Sequence, residues 1–299
     1  MKVANSVTEL IGNTPMLKIK NFGENLYAKA EFLNPGYSIK DRIAFAMLNE
    51  ALKSGKISKN CVIIEPTSGN TGVGLAMVCA ALGLKAIFTM PSSMSKERQL
   101  MLKAYGAQIK LTEPSLGMKG AVDKANELAK NLSNSFIPSQ FSNAANPRTH
   151  QQITACEILE QMGGKVDVFV AGFGTGGTIS GVGKALKEKN PNVKIIAVEP
   201  AASPLLSEGK AGPHAIQGIG ANFIPENLDK SVIDEVLTVS NEDAIATTKK
   251  LAQSQGVLVG ISSGANVFAA SKFTASNLNV VTILADTGSR YFSTGIFDV

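Results

Sequence analysis

The chain has no tryptophan and two histidines in 299 residues, and only 6% of it is aromatic. Binding nucleic acid by stacking needs aromatic rings interleaved with basic residues, and no such block occurs. The formal charge is +5, but the lysines are mixed with acids along the chain, the pattern of a solvated surface. His150 and His214 lie far apart, and Cys61, Cys79 and Cys156 form no CxxC pair. Neither a metal site nor a disulfide framework is expected. Cys61 opens the apolar run Val62-Ile63-Ile64 and Cys79 lies in Met77-Val78-Cys79-Ala80, settings that suit small buried hydrophobes. Free thiols fit a reducing cytoplasm. Long hydrophobic runs are missing too. The longest, Val73 to Leu84, is interrupted by glycine and too short to cross a bilayer. The opening MKVANSVTELIGNTP lacks the apolar core of a signal peptide. A cytoplasmic protein without membrane or nucleic-acid partners is expected.

What the chain does have is glycine, 28 of them, several in clusters, within 44% hydrophobic and 18% charged residues. Short β-rich runs alternate with helical patterns. Strands are expected at Leu26–Phe32, Val62–Glu65, Ala86–Met90, Gln108–Thr112, Val166–Ala171, Val193–Val198 and Val280–Leu284. Helices are expected at Ser38–Leu52, Thr71–Leu82, Lys96–Tyr105, Gly117–Asn131, Asn146–Met162, Gly177–Lys189 and Asn241–Gln255. This alternation predicts βαβ units with mostly parallel sheets covered on both faces. The softest point is Ser142–Pro147; a second loose region, Ala201–Ile219, reads as loop of the kind that lines sites.

Four segments fall where a strand ends or a helix begins, which is where open α/β sheets bind ligands. The first is Ser38-Ile39-Lys40-Asp41, with the look of a capping box. It puts Lys40 at the positive end of a helix, which disfavours a cation and favours the neutral amine that a base or nucleophile needs. Next comes Glu65-Pro66-Thr67-Ser68-Gly69-Asn70-Thr71-Gly72, with more polar residues than one helix cap requires, a seat for a carboxylate or phosphate. Then Gly172-Phe173-Gly174-Thr175-Gly176-Gly177-Thr178 offers backbone N–H groups and a helix start to a phosphate, without any lysine or arginine. It also reads as GxGxxG, with Glu199 about 22 residues after Gly177, so a dinucleotide site competes. The fourth, Val259-Gly260-Ile261-Ser262-Ser263-Gly264-Ala265, places Ser262 or Ser263 as a helix cap or as a hydroxyl in a site.

In this order, the four segments resemble those of the fold-type II pyridoxal-phosphate enzymes, and of the cysteine synthases (O-acetylserine sulfhydrylases) in particular. The likeness covers nearly the whole chain, from Ile11-Gly12-Asn13-Thr14-Pro15 through Met94-Ser95-Lys96-Glu97-Arg98, Gln140-Phe141-Ser142-Asn143 and Gln217-Gly218-Ile219-Gly220-Ala221 to Arg290-Tyr291-Phe292-Ser293-Thr294. It departs at Gln99, where relatives often carry a basic residue, and at Ser289, where they often carry glutamate.

The resemblance implies a tryptophan synthase β-like fold of two three-layer α/β/α domains with a mostly parallel sheet in each. Residues 38–145 would form a smaller, mobile N-terminal domain, and 1–37 with 146–299 a larger one holding the phosphate loop. The cofactor implied is pyridoxal 5'-phosphate, with Lys40 as its Schiff-base lysine, Asn70 on its ring hydroxyl oxygen, Gly174, Thr175, Gly176, Gly177 and Thr178 on its phosphate, and Ser262 facing its pyridine nitrogen. Thr67, Ser68, Gly69, Thr71 and Gln140 would seat the substrate α-carboxylate, and the loop around Gly218 would wall the acyl side. The activity implied is β-replacement, making L-cysteine and acetate from O-acetyl-L-serine and sulfide. A homodimer is expected, and a serine acetyltransferase C-terminal tail is a possible partner. Gly212 to Gly220, free of arginine, looks like the A-type rather than the thiosulfate-accepting B-type. The competing readings are a cystathionine β-synthase or serine dehydratase on the same cofactor and, more distantly, an NAD-dependent dehydrogenase.

Overall fold

The computed structural model describes residues 3–67 and 69–298. Two short strands come first, β1 (Met16–Lys18) and β2 (Leu26–Ala30). Then follow α1 (Lys40–Lys53), β3 (Val62–Pro66), α2 (Asn70–Leu82), β4 (Lys85–Pro91), α3 (Lys96–Ala104), β5 (Gln108–Thr112), α4 (Gly117–Asn131) and β6 (Ser135–Phe136). A helical stretch comes next, made of α5 (Ala145–Thr149), a π-turn at His150–Thr154 and α6 (Ala155–Gln161). The rest is β7 (Val168–Gly172), α7 (Gly177–Lys189), β8 (Lys194–Pro200), the single turn α8 (Leu205–Glu208), β9 (Glu235–Val239), α9 (Asn241–Gln255), α10 (Ile261–Ser271) and β10 (Val280–Leu284).

Two units divide this chain, one of residues 3–11 and 40–145, the other of residues 12–39 and 146–298. In the first, four strands lie in the order β5-β4-β3-β6, all parallel. Side chains alternate across a strand, so neighbours in sequence serve opposite faces. Ile63 packs with Phe88, Met90 and the inner faces of α1 and α2, whereas Ile64 and Ile87 pack against Ala125 and Leu128 of α4. Helices therefore cover both faces. Each such fully buried Ile or Phe contributes roughly 2 kcal/mol of transfer free energy. Val7 and Ile11 join the α1–α2 core, so the start of the chain clusters here and not with residues 12–39.

The second unit holds six strands in the order β1-β2-β10-β7-β8-β9, antiparallel only at β1–β2. Val168, Val170, Ile196 and Val198 face the cluster that includes Leu251 and Val267 of α9 and α10. Phe169, Ala171, Ile195 and Ala197 face the one that includes Ile158, Ile179 and Val182 of α6 and α7. Each unit is thus an α/β/α sandwich around a mostly parallel sheet, as the alternation implied.

The differences lie at edges. Strands β1, β6 and β9 were not expected; they are short or half-exposed and lack an apolar run. The helix expected from Ser38 starts at Lys40, and Ser38 makes an isolated bridge with Asp286. The helix expected over Asn146–Met162 carries the π-turn, invisible to periodicity. Cys61 and Cys79 are buried free thiols, and burial pushes Cys79 up to about 12.

Candidate active site

Strand β3 delivers its chain to the start of α2 through Thr67 and Gly69, with Asn70 as the first helical residue. Ser68 lies outside the described residues. The helix N-cap is Gly69, which has no side chain of its own to cap the helix end. Thr67 and Thr71 are buried. Thr67 Oγ1 accepts from the Gly69 amide at 3.4 Å. Thr71 Oγ1 donates to Gln140 Oε1 at 2.6 Å, which turns the Nε2 end of the amide into its donor side. Five of the expected residues, Thr67, Gly69, Asn70, Thr71 and Gln140, therefore belong to one neighbourhood of the first unit. Lys40 is half-buried at the opening of α1, and its carbonyl approaches Gly74 of α2 closely enough that a Cβ there would lie 3.1 Å away.

In the second unit β7 ends at Gly172 and α7 begins at Gly177. The cap residue Gly176 has φ +81, a left-handed conformation that costs L-residues about 1–2 kcal/mol. Gly176 has no side chain of its own to cap α7. Gly174 has no room for a side chain, because a Cβ would lie 2.3 Å from the Gly218 carbonyl oxygen. Thr175 Oγ1 accepts from Asn146 Nδ2 at 3.0 Å, and Thr178 Oγ1 lies 3.3 Å from His150 Nε2. As an acceptor, the Thr175 hydroxyl keeps its own proton to donate. The donor set is then backbone N–H groups, two hydroxyls and a helix N-terminus, with no cation, and it fits a phosphate.

The loose region 201–219 ends beside this loop. A Cβ on Gly218 would meet Ser262 Oγ at 3.6 Å, so the structure brings Gly174, Gly218 and Ser262 together. Ser262 is in the first turn of α10, whose N-cap is Gly260, and no side chain caps that helix. The two serines differ. Ser263 Oγ accepts from the Ala285 amide at 2.9 Å and is structural. Ser262, buried without a capping duty, offers a neutral hydroxyl that suits a pyridine nitrogen.

The dinucleotide reading does not survive. Glu199 is buried, with Oε2 accepting from the Leu206 amide at 2.7 Å and Oε1 from the Ser207 amide at 3.0 Å and hydroxyl at 2.5 Å. It anchors α8 and is not presented to a ribose.

Four supporting residues escaped the sequence reading. Asn146 and His150 stand behind Thr175 and Thr178. Asn266 takes the Gly172 amide at 2.7 Å and gives its own amide to the Ile283 carbonyl. Glu65 accepts from the amides of Ser139 at 3.0 Å and Gln140 at 3.2 Å. Burial pushes its carboxyl up to about 7, against the pull of those two hydrogen bonds. A polar residue inside an apolar pattern was the only available sign, and Glu65 after Ile63-Ile64 shows it best.

A family model described as pyridoxal-phosphate dependent enzyme matches residues 7–286. Cysteine synthase B of Campylobacter jejuni is 60% identical over 299 residues, spanning 99% of this chain and 100% of that protein. Among solved structures, a cysteine synthase (OASS) of Entamoeba histolytica matches with a TM-score of 0.96 at 38% identity, covering 100% of this chain and 92% of that one. An O-acetylserine dependent cystathionine β-synthase of Helicobacter pylori matches at 0.91 and 42% identity, covering 99% and 100%.

Proposed function

Because this chain belongs to the pyridoxal-phosphate dependent enzymes, we propose that it makes L-cysteine and acetate from O-acetyl-L-serine and sulfide. The observation that carries this is 60% identity, end to end, to a cysteine synthase. Bound pyridoxal phosphate supplies an electron sink that acidifies the substrate's α-carbon and lets a β-substituent leave.

The chain's residues do the rest. Lys40 Nζ binds the cofactor covalently at rest, takes the α-proton as acetate departs with the C–O electron pair, and returns that proton to Cα after sulfide has bonded to Cβ. Asn70 holds the ring hydroxyl oxygen, and Gly174, Thr175, Gly176, Gly177 and Thr178 hold the phosphate. Ser262 faces the ring nitrogen with a hydroxyl that cannot protonate it as an aspartate would, which favours β-elimination over transamination. Thr67, Ser68, Gly69, Thr71 and Gln140 hold the α-carboxylate, and Gly218 walls the acyl side.

A second reading keeps O-acetylserine as donor and changes the nucleophile, as the name of the Helicobacter relative indicates for that protein. A third assay component, thiosulfate, separates the two donor types of the family. Purified holoenzyme should show a visible band that borohydride removes and Lys40→Ala lacks. It should form cysteine from O-acetylserine and sulfide. S-sulfocysteine formation from thiosulfate, with no cysteine from sulfide, would change the donor, and product only with homocysteine would carry the assignment to the second reading.

No helix among the described residues is long and apolar enough to cross a membrane. Free cysteines and the absence of a disulfide framework support a cytoplasmic setting. Homodimerisation, movement of the smaller unit and docking of a serine acetyltransferase tail belong to the same proposal, supported by the likeness to cysteine synthases.

A further inference from the structure

Glu65 lies near the end of β3, opposite Phe88 of β4 in the parallel ladder, and is 1% exposed. A carboxyl group in that position is costly unless its oxygens are engaged. Both are. Oε2 accepts from the Ser139 amide at 3.0 Å and Oε1 from the Gln140 amide at 3.2 Å. Two successive amides aimed at one carboxylate need a sharp local turn, and Ser139 supplies it with φ +56, an unfavourable left-handed conformation for serine. The turn is closed from the other side, where the Ser139 carbonyl accepts from the amides of Ser142 at 3.0 Å and Asn143 at 2.9 Å. Asn143 Nδ2 also donates to the Pro138 carbonyl at 2.8 Å.

This turn carries Gln140, whose Oε1 is held by the Thr71 hydroxyl at 2.6 Å. Backbone and side chain of Gln140 are therefore fixed separately, the first by Glu65 and the second by Thr71. We infer that Glu65 is a positioning residue, which through the Ser139 and Gln140 amides aims the Gln140 side chain at the substrate α-carboxylate. The inference rests on the carboxylate-seat role given above to Gln140 and Thr71. The residue type follows from the geometry. Two amides require two acceptors on one short side chain. Glutamine would offer one acceptor and turn an NH₂ toward the second amide, donor against donor.

Glu65→Gln, Glu65→Asp and Gln140→Ala, each as purified holoenzyme, test this by steady-state kinetics with O-acetylserine and sulfide. Glu65→Gln should raise KM for O-acetylserine about tenfold while kcat and KM for sulfide stay within about twofold, because what is lost is aim at one substrate group. Glu65→Asp, which keeps both acceptors on a shorter stem, should recover part of the loss. A Glu65→Gln enzyme with wild-type cofactor absorbance and unchanged KM for O-acetylserine overturns the inference if Gln140→Ala does raise that KM. If Gln140→Ala leaves KM unchanged, the carboxylate seat itself is wrong and the inference falls with it. Wild-type holoenzyme provides a measurement that does not depend on a variant folding. Hydrogen exchange at the Ser139 and Gln140 amides should be slow, and exchange as fast as in an open loop overturns the inference.

Discussion

Asn146 Nδ2 donates to Thr175 Oγ1 at 3.0 Å, tying the start of the α5–α6 stretch to the loop before α7. Asn146 is fully buried, so the link is made away from water. It fixes the rotor of a hydroxyl in the proposed phosphate seat, with the hydroxyl proton directed away from Asn146. Asn146→Ala should leave Thr175 free to rotate and weaken cofactor binding about tenfold, the equivalent of one hydrogen bond. Titrating apoenzyme with pyridoxal phosphate and following the visible band measures it; unchanged affinity would remove Thr175 from the seat.

Gly174 meets a harder limit than most glycines here, since the atom in the way is the backbone oxygen of Gly218. Backbone cannot swing aside as a side-chain end can. Gly174→Ala should therefore push the 174–178 loop from the Gly218 turn, costing about 1–3 kcal/mol of stability by overpacking and most of the cofactor affinity. Urea unfolding of the apoenzyme reads the first and the same titration reads the second.

The adjacent serines of α10 give opposite expectations. Ser262→Ala should not change the unfolding midpoint, because no side chain caps the helix. It should lower turnover by about tenfold, through loss of the partner proposed for the ring nitrogen. Ser263→Ala leaves the Ala285 amide without its acceptor and should cost about 1–3 kcal/mol of stability. Melting curves and kcat for the pair decide which serine does chemistry and which holds the fold.

The contrast between these serines shows what could be read from the sequence. Local signals located the strand–helix junctions that carry Thr67, Thr71 and Gly174, the helix start that carries Ser262 and the loop that carries Gly218, because turn chemistry and hydrophobic period are local properties. Which serine is free of structural duty depends on Ala285, 22 positions away. Glu65 is joined to Gln140 across 75 positions, and Asn146 to Thr175 across 29. Such pairings exist only once the sheets have formed. The same reason misled in the other direction at Glu199. Its spacing from Gly177 suits a ribose, but α8 folds back and takes both of its oxygens. The π-turn was out of reach for a different cause. A hydrophobic pattern marks a helix but does not say whether its amides reach back four residues or five, and the π-turn holds His150, whose Nε2 lies 3.3 Å from Thr178 Oγ1.

Glu65 should also leave a mark on stability against pH. Burial raises its carboxyl from 4.5 in an open chain to about 7 in the fold, despite the hydrogen bonds from Gln140 and Ser139. The folded state then binds the proton more tightly than the unfolded state. Stability from this group is fully present below the unfolded value and is lost as pH rises through about 7. Between about pH 5.5 and about pH 8 the loss should be on the order of 2 kcal/mol. Other groups titrate over the same range, so the quantity to measure is the difference in unfolding free energy between wild type and Glu65→Gln at the two pH values. Wild type should gain on the variant toward acid by that amount. The ionised form costs the fold, but it is also the better acceptor for the Ser139 and Gln140 amides, since hydrogen bonds to a charged oxygen are about twice as strong. A stability difference that does not change with pH would mean that Glu65 titrates as an ordinary carboxylate, and its burial would then need another charge partner.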